Sequence, residues 1–338
     1  MTERRRGRDG RRIEIVCPAG TPAALDTALA AGADAVYVGF RDETNARNFP
    51  GLNFDRTEMA AAVARAHAAG RKLFIAINTY PRGADEGPWR RAVDLAAELG
   101  ADAVILADPG IAAYAARNHP GLRLHLSVQA SAAHAGAIRL MKDSFGIRRV
   151  VLPRVLTVAQ IAALNRSVEI ETEVFAFGGM CVMAEGRCLL SGYIAGRSPN
   201  TEGVCSPAEA VRFTRRPDGS VTTTLAGLTI DRFAPRAPAA YPTLCKGSFL
   251  ARGRRIHLFE DPVSLDARPI LDALAKAGVT AIKIEGRQRG RAYVERVVRA
   301  FREAVDALAA GAPLPAAALT DLSEGAAGTA GAYRKEWR

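Results

Sequence analysis

Four of the five cysteines of this chain lie within 65 residues, spaced as Cys181-x6-Cys188-x16-Cys205-x39-Cys245. Four thiolates are the usual ligands of a 4Fe–4S cluster, and four ligands also hold a structural zinc ion. A zinc site usually contains one Cys-x2-4-Cys pair, because a single ion needs its ligands close together. Here the shortest gap has six intervening residues, and no histidine lies between Cys181 and Cys245. The spacing favours an iron–sulfur cluster, with zinc or four separate buried cysteines as the alternatives.

The fifth cysteine, Cys17, lies far from the others, at the end of the first predicted strand and beside Pro18. A small buried core residue is one interpretation, because free cysteine is commonly buried. A nucleophile at the site is the other, and it would require a positioned base. The sequence identifies no such base.

Composition and charge limit the class of protein. The chain has 338 residues, 49% of them hydrophobic and 24% charged, which is typical of a globular protein. No apolar run approaches the ~18 residues that span a bilayer, and residues 1–12 contain no apolar stretch that could act as a secretory signal. We therefore expect a cytoplasmic protein, in which reducing conditions disfavour disulfides and clustered cysteines indicate metal or redox chemistry.

The net charge of +11 suggests an anionic partner such as RNA. However, residues 4–12 alone contribute six arginines. Residues 1–12 are Gly- and Arg-rich and are predicted to be a disordered basic tail. The remaining excess is spread along predicted helices, where arginine usually faces solvent. Nucleic acid is therefore not the expected partner.

Short apolar runs alternate with Ala-rich segments of helical spacing, which predicts repeated βα units. Most runs are continuously apolar, as in a parallel sheet covered on both faces. The predicted fold is a (β/α)8 TIM barrel. An open doubly wound sheet is less favoured, because no Gly-x-Gly-x-x-Gly follows the first strand. The predicted strands are 13–17, 35–39, 72–78, 103–107, 123–128, 149–152, 170–177 and 281–285, and predicted helices include 21–31, 57–69, 89–99, 132–142 and 264–277.

The long segment between the seventh and eighth strands holds all four clustered cysteines. We predict one domain over 13–338, in which 179–262 form a cluster-binding insertion. Active sites of barrels lie on the loops after the strand C-termini, so this insertion is expected beside the active site. Within it, 213–240 is predicted to be a hairpin followed by a mobile loop.

Polar residues and turn formers follow most of the predicted strands. Each alone is explained by a turn or a helix cap. Together they could line a pocket for a polar, anionic small molecule. They are Pro18–Gly20, Arg41–Arg47, Asn78–Thr79, Asp108–Pro109, Gln129–Ser131, Pro153–Arg154, Gly178–Gly179 and Glu285–Gln288.

Several longer sequence blocks follow one another in the order seen in a known protein family. They are CPAG ending at Gly20, GADAVYVG ending at Gly39, NARNFPGLNF ending at Phe54, the cysteine block 181–205, YPTLCK ending at Lys246, KIEGRQ ending at Gln288 and GAYRKEW ending at Trp337. From about residue 13 to the C-terminus the chain resembles the peptidase U32 family. More narrowly it resembles the members of that family that act in ubiquinone biosynthesis. Residues 1–12 and parts of 213–240 depart from the pattern.

The resemblance implies an oxygen-independent hydroxylase that carries a 4Fe–4S cluster on Cys181, Cys188, Cys205 and Cys245. It implies a heterodimer with a UbiV-like homologous subunit, the prenylated ring of a ubiquinone precursor as substrate, and prephenate as oxygen donor. Four thiolates leave no open iron position, which favours an electron-transfer or structural role for the cluster. Peptidase activity is not expected, because the sequence has no His-Glu-x-x-His and no clear nucleophile motif.

Arginines at predicted strand ends are the candidates for donor binding. Prephenate has two carboxylates, and the guanidinium group matches a carboxylate with two parallel hydrogen bonds. Arg47, Arg154 and Arg287 are therefore predicted to bind the donor, although each could instead be a structural ion-pair partner. The sequence identifies no catalytic residue. No segment resembles a membrane-inserting helix, so we expect a lipid-binding accessory protein to present the quinone precursor.

Two other functions stay open. A U32-type hydroxylase of tRNA or rRNA bases would fit the basic charge, but we see no appended RNA-binding module and no run of aromatic residues for base stacking. A non-catalytic, cluster-bearing scaffold subunit would leave the chemistry to its partner.

Overall fold

This computed structural model describes residues 13–181, 188–196, 199, 204–316 and 318–334. The barrel strands are β1 (Glu14–Pro18), β2 (Ala35–Gly39), β3 (Lys72–Ile77), β4 (Ala103–Leu106), β5 (Leu124–Leu126), β6 (Arg149–Val151), β7 (Glu171–Gly179) and β14 (Ala281–Ile284). Within the described residues these eight strands pair in parallel in the order β14-β1-β2-β3-β4-β5-β6-β7, and β14 also pairs with β7. The barrel is therefore closed, and the TIM-barrel prediction is confirmed.

Helices cover the outside of the barrel, with one exception. The helices are α1 (Pro22–Ala30), α2 (Arg56–Ala68), α3 (Gly87–Glu98), α4 (Pro109–Asn118), α5 (Ala135–Phe145), α6 (Val158–Ser167), α7 (Leu190–Ala195), α8 (Leu271–Lys276) and α9 (Arg291–Ala309). The exception is α7, which lies in the segment that follows β7 and packs on the core of that segment. Asp55 begins α2 and Thr157 begins α6, each through a capping box that satisfies free N–H groups of the first turn. Across the described part of the chain, no helix combines the length and apolar character needed to cross a membrane.

The predicted helix 264–277 is wrong in its first part. Residues Ser264–Asp266 form β13, which pairs antiparallel with the end of β7. β7 is nine residues long and extends past its barrel neighbours, so its end offers free backbone groups to a further strand. Pro269 has no N–H to donate, and the α-helical part begins only at Leu271.

The segment between β7 and β13 has its own small core, formed by Val211, Leu225, Ile230 and Leu244. Its strands are β8 (Val211–Arg215), β9 (Val221–Leu225), β10 (Leu228–Phe233), β11 (Ser248–Ala251) and β12 (Arg254–His257). The first three form an antiparallel sheet, and the last two form a hairpin. Where the sequence predicts one hairpin over 213–240, the structure therefore has a three-stranded sheet. The short β15 (Gly328–Thr329) pairs with β13. The predicted basic tail 1–12 lies outside the described residues.

The barrel interior contains a chain of buried charges, where branched apolar side chains usually dominate. Arg149 contacts Glu14 at 3.1 Å, Glu171 at 2.8 Å and Glu173 at 3.2 Å. Glu173 also accepts a hydrogen bond from Lys283 at 2.7 Å. Pairing offsets the cost of removing these charges from water. An apolar layer packs beside them, formed by Val16, Ala35, Tyr37, Phe74, Ala103, Ile105 and Ala281.

Gly20 allows the loop after β1 to pass close to the loop after β14. A Cβ atom at Gly20 would lie 2.0 Å from the backbone carbonyl oxygen of Arg287, so one of the two loops would have to move. We expect Gly20→Ala to lower the free energy of unfolding by about 1–3 kcal/mol, measured by urea denaturation. Gly121→Ala is the matched control, because a Cβ there meets no atom within 4 Å. Equal losses for the two variants would contradict this account.

Candidate functional site

A cavity of about 240 Å³ opens at the C-terminal ends of the barrel strands, between the barrel and the segment that follows β7. The barrel contributes aromatic and neutral polar groups to its wall, including Tyr37, Asn78, Ser127, Gln129 and Phe175. All the donor-binding and cluster residues predicted from the sequence also line it, namely Arg47, Arg154, Arg287, Cys181, Cys188, Cys205 and Cys245. Residues widely separated in the sequence therefore meet at one cavity.

The four clustered cysteines are half-buried, and no disulfide joins them. Burial and the neighbouring Cys205 raise the pKa of Cys245 to about 11. Among the described residues, no three His, Cys, Asp or Glu side chains are grouped closely enough to hold one metal ion. The described lining of the cavity contains no histidine, and its soft ligands are the four thiols and the thioether of Met180. This ligand set fits a 4Fe–4S cluster, whose four iron corners can be bound by separate loops.

Cys17 is a core residue of the barrel wall. Its side chain is fully buried, and its thiol donates a weak hydrogen bond to the carbonyl of Pro18 at 3.4 Å. Burial raises the pKa of Cys17 above its ordinary range, so the reactive thiolate is disfavoured at neutral pH. This geometry matches the interpretation of Cys17 as a small buried residue.

Two of the three predicted donor-binding arginines already have a carboxylate partner. Arg47 Nη2 lies 2.8 Å from Glu285 Oε1, and Arg154 Nη1 lies 2.6 Å from Glu285 Oε2. Burial alone would raise the pKa of Glu285, but Arg154 and Arg47 hold that pKa well below its usual range. Arg154 also stacks over Phe175, with its Cζ 4.0 Å from the ring centroid. Arg47 and Arg154 therefore share one carboxylate, and their role in donor binding stays a prediction.

Arg47 has an unusual backbone conformation, with φ of 131°, a region that favours glycine. Such a conformation costs of order 1–3 kcal/mol in a residue with a side chain and is frequent at functional sites. The Asn53 side-chain amide donates to the Arg47 carbonyl at 2.9 Å, and the Phe49 N–H donates to it at 3.1 Å. These two hydrogen bonds hold the Arg47 backbone in this conformation, and the ion pair with Glu285 holds its guanidinium group at the cavity.

Arg287 differs from the other two arginines. It is buried, and its guanidinium group donates to Asn45 Oδ1 at 2.9 Å and to the carbonyl of Ala46. Its Cζ lies 5.6 Å from the centroid of the Tyr37 ring. Burial lowers the pKa of Arg287 to about 10, so the group is still charged at neutral pH. No carboxylate among the described residues forms an ion pair with it, which leaves Arg287 as the cation best placed to receive an anion.

The cavity wall as a whole also has more cationic than anionic side chains. Its described lining has five cationic side chains and two carboxylates. The carboxylates are Glu285, shared by Arg47 and Arg154, and Glu324, which accepts a hydrogen bond from Lys246. Lys283 is compensated by Glu173 behind the cavity wall, and the remaining excess of positive charge favours an anionic ligand.

Sequence reasoning missed Lys283, Tyr37 and the Lys246–Glu324 pair. Lys283 lies in the middle of a strand that is otherwise apolar, and a lysine in such a strand must be buried with a partner. The single lysine in this apolar strand therefore indicates that Lys283 is buried and paired. The Lys246–Glu324 pair joins residues 78 positions apart, and no local pattern indicates it.

Glu285→Gln tests whether the carboxylate holds Arg47 and Arg154 in place. Removing one partner of a buried pair leaves uncompensated charge, so we expect the free energy of unfolding at pH 7 to fall by about 3 kcal/mol or somewhat less, because the Glu285 side chain keeps 21% exposure. The folded-state pKa is depressed, so this stability is present above the unfolded pKa of about 4.3 and is lost as the pH falls further.

Urea denaturation at pH 7 and at lower pH measures both effects of Glu285→Gln. Glu98→Gln is the matched control, since Glu98 pairs with Arg56 at 2.6 Å on the surface and its loss is expected to cost less than about 0.5 kcal/mol. A Glu285→Gln variant as stable as Glu98→Gln would show that the carboxylate is dispensable.

The family model described as peptidase family U32 matches residues 20–327. The chain belongs to peptidase family U32. The family resemblance seen in the sequence blocks is thereby confirmed.

Relatives of this U32 chain include RNA-modifying proteins. It is 33% identical over 328 residues to tRNA hydroxylation protein P of Escherichia coli, with 91% of this chain and 71% of the relative covered. It is 29% identical to the 23S rRNA 5-hydroxycytidine C2501 synthase of Escherichia coli, with 88% of this chain and 40% of that protein covered. A collagenase of Porphyromonas gingivalis is 27% identical, with 87% and 66% covered. The chain thus spans from 40% to 71% of the length of these three relatives.

Among solved structures, a U32 peptidase aligns over 84% of this U32 chain and 97% of its own, at 14% identity and a TM-score of 0.49. The barrel assignment rests on the strand pairing described above.

Proposed function

We propose that this U32 chain is the 4Fe–4S subunit of an oxygen-independent hydroxylase that acts on an aromatic ring. The observation that carries the proposal is that four thiols and an arginine-rich anion site line the same cavity. A cluster bound by Cys181, Cys188, Cys205 and Cys245 would supply one-electron redox chemistry there. Hydroxylation is also the activity named for several of the curated relatives.

The residues of the chain itself would bind and orient the oxygen donor, for which we propose prephenate. Arg287 would receive one carboxylate through its paired N–H groups. The Arg47–Glu285–Arg154 group would fix the neighbouring wall, since each arginine is held by the same carboxylate. Phe175 and Tyr37 would provide flat apolar surface beside a ring, since both line the cavity.

For the second substrate we propose the prenylated ring of a ubiquinone precursor, which would make the chain UbiU-like. The blocks 45–54 (NARNFPGLNF) and 241–246 (YPTLCK), which match the ubiquinone-biosynthesis members, contribute to the cavity wall through Arg47 in the first and Thr243, Cys245 and Lys246 in the second. The same two blocks meet through the rings of Phe49 and Tyr241, whose centroids are 6.4 Å apart. The Phe49 and Tyr241 rings would offer apolar surface to an aromatic ring with a hydrocarbon tail.

An RNA base is the second candidate. The names of the curated relatives support it more directly than they support a quinone precursor, since they specify tRNA and 23S rRNA. The net charge of +11 would favour contact with phosphates. Both candidates share the cavity, the cluster and the donor, and they differ only in the ring that is presented.

The proposed partners are a UbiV-like homologous subunit and a lipid-binding accessory protein. Large apolar side chains exposed between β7 and β13 would offer surface for them. Tyr193 is 92% exposed, Leu189 75% and Leu250 73%. If the chain were only a cluster-bearing scaffold, mutations of its cavity would spare activity while mutations in the partner would remove it.

A deletion strain grown without oxygen separates the two substrates. We expect its quinone profile to show loss of ubiquinone and accumulation of an unhydroxylated precursor, while mass spectrometry of tRNA and rRNA nucleosides is unchanged. Loss of a hydroxylated nucleoside with a normal quinone profile would instead support the RNA candidate. If both profiles stayed normal, the hydroxylase proposal would be wrong.

A further inference from the structure

Lys283 places an amine in the cavity wall that the proposed function does not use. It lies on β14, is 6% exposed, and lines the cavity together with Arg287. Its Nζ lies 2.7 Å from Glu173 Oε1 and 3.8 Å from the centroid of the Tyr37 ring. Lysines on the outer surface, such as Lys276, have no comparable enclosure.

A proton acceptor for this amine is already in place. Glu173 is fully buried, accepts from Lys283, and is held on its other side by Arg149 Nη1 at 3.2 Å. Burial lowers the pKa of Lys283, and the charges of Arg287 and Arg149 act in the same direction, while Glu173 opposes them. The surroundings therefore favour the neutral, nucleophilic amine more than water does.

The cavity also offers the group that would hold a carbonyl compound against this amine. Arg287 lies four residues after Lys283, beyond the end of the same strand, and its guanidinium group has only neutral acceptors among the contacts described above. A 2-oxo acid carries a carboxylate directly beside a ketone. A carboxylate bound by Arg287 would therefore bring the ketone carbon toward the neighbouring lysine on the cavity wall.

We propose that Lys283 forms an imine with the ketone of a 2-oxo acid bound in this cavity. The inference rests on the proposed function for the identity of that acid, since prephenate is a 2-oxo acid. Glu173 takes a proton from the Lys283 ammonium group, and Nζ attacks the ketone carbon to give a carbinolamine. Glu173 then returns the proton to the carbinolamine hydroxyl, which leaves as water. One ammonium group and one ketone thus give one protonated imine and one water, and no oxidant or reductant is needed.

Reductive trapping tests the proposal on the wild-type protein. The anaerobically purified holoprotein is incubated with prephenate, or with phenylpyruvate in parallel, then treated with cyanoborohydride, digested and mapped by mass spectrometry. We expect the reduced adduct on Lys283 at least tenfold above any other lysine. Lys246 is the internal control, because it lines the same cavity but lies in the segment between β7 and β13, not on the strand that leads to Arg287.

Two variants sharpen the test. Lys283→Arg keeps a cation beside Glu173 but cannot form the imine, so the adduct should be lost, whereas Lys246→Arg should keep it. An unlabelled Lys283 in the wild type, or a label of equal strength on Lys246, would overturn the proposal. Hydroxylation without a Lys283 adduct would refute the imine and leave the proposed function standing. An adduct in a protein that hydroxylates neither quinone precursor nor RNA would support the imine and refute the proposed function.

Discussion

Replacing Cys188 by alanine is expected to remove the cluster and abolish hydroxylation. In the proposed cluster the Cys188 thiolate would be an iron ligand, and alanine offers no atom that can replace it. Cys188 lines the cavity with the three other clustered cysteines, so its loss opens one corner of the ligand set. We expect iron and sulfide to fall from about four of each per chain to less than about one, with loss of the visible absorbance of the anaerobically purified protein.

Cys17→Ala is the matched control for Cys188→Ala. Cys17 is a free thiol too, but it is fully buried and forms its hydrogen bond within the first strand. We expect the variant to keep its iron and its activity, and to lose only the ~1 kcal/mol that a small core truncation costs. A Cys188→Ala variant with full iron and normal output would refute the cluster assignment. One zinc ion per wild-type chain, in place of iron, would show that the cysteines form a zinc site.

Much of the barrel could be predicted from the sequence, because parallel strands buried on both faces leave continuous apolar runs. The predicted strand 35–39 coincides with β2, and 281–285 differs from β14 by one residue. The helix predicted at 264–277 fails at its start for a tertiary reason. Ser264–Asp266 pairs with the overhanging end of β7, and no local pattern in the sequence records that overhang.

The location of the site could be predicted, but its charge pairing could not. The ends of parallel barrel strands meet on one face, which placed Arg47, Arg154 and Arg287 together. Which side chains meet there depends on register and on backbone conformation, such as the φ of 131° at Arg47. The structure therefore separates Arg287 from the two arginines that share Glu285, a distinction that spacing alone does not contain.

Arg287→Ala is expected to raise the KM for the oxygen donor by about 30-fold or more. Losing one partner of a buried, charge-assisted hydrogen-bonded pair costs about 2–5 kcal/mol, and ~1.4 kcal/mol corresponds to tenfold. The KM for the aromatic substrate should change far less, because the expected contact is with the donor carboxylate. Steady-state kinetics with each substrate varied in turn measures the two effects.

Arg289→Ala is the matched control for Arg287→Ala. Arg289 follows two residues later and is 43% exposed, and its Nη2 lies 3.7 Å from Glu324. We expect a change in donor KM of less than about threefold, because exposed pairs contribute little. Arg287→Lys keeps the charge but not the paired N–H groups, so an intermediate loss is expected. Equal donor KM values for Arg287→Ala and the wild type would refute the assignment.

Donor binding can also be measured without turnover. A bound donor should neutralise the buried charge of Arg287 and so stabilise the folded protein. Arg287 is buried among neutral acceptors, and a buried cation is costly until an anion joins it. A ligand at 100 times its Kd stabilises the folded state by about 2.7 kcal/mol. Prephenate at that concentration should therefore raise the Tm of the wild type and of Arg289→Ala, but not that of Arg287→Ala. An equal rise in all three would mean that the anion binds elsewhere in the cavity, at the arginines that share Glu285 or at Lys246.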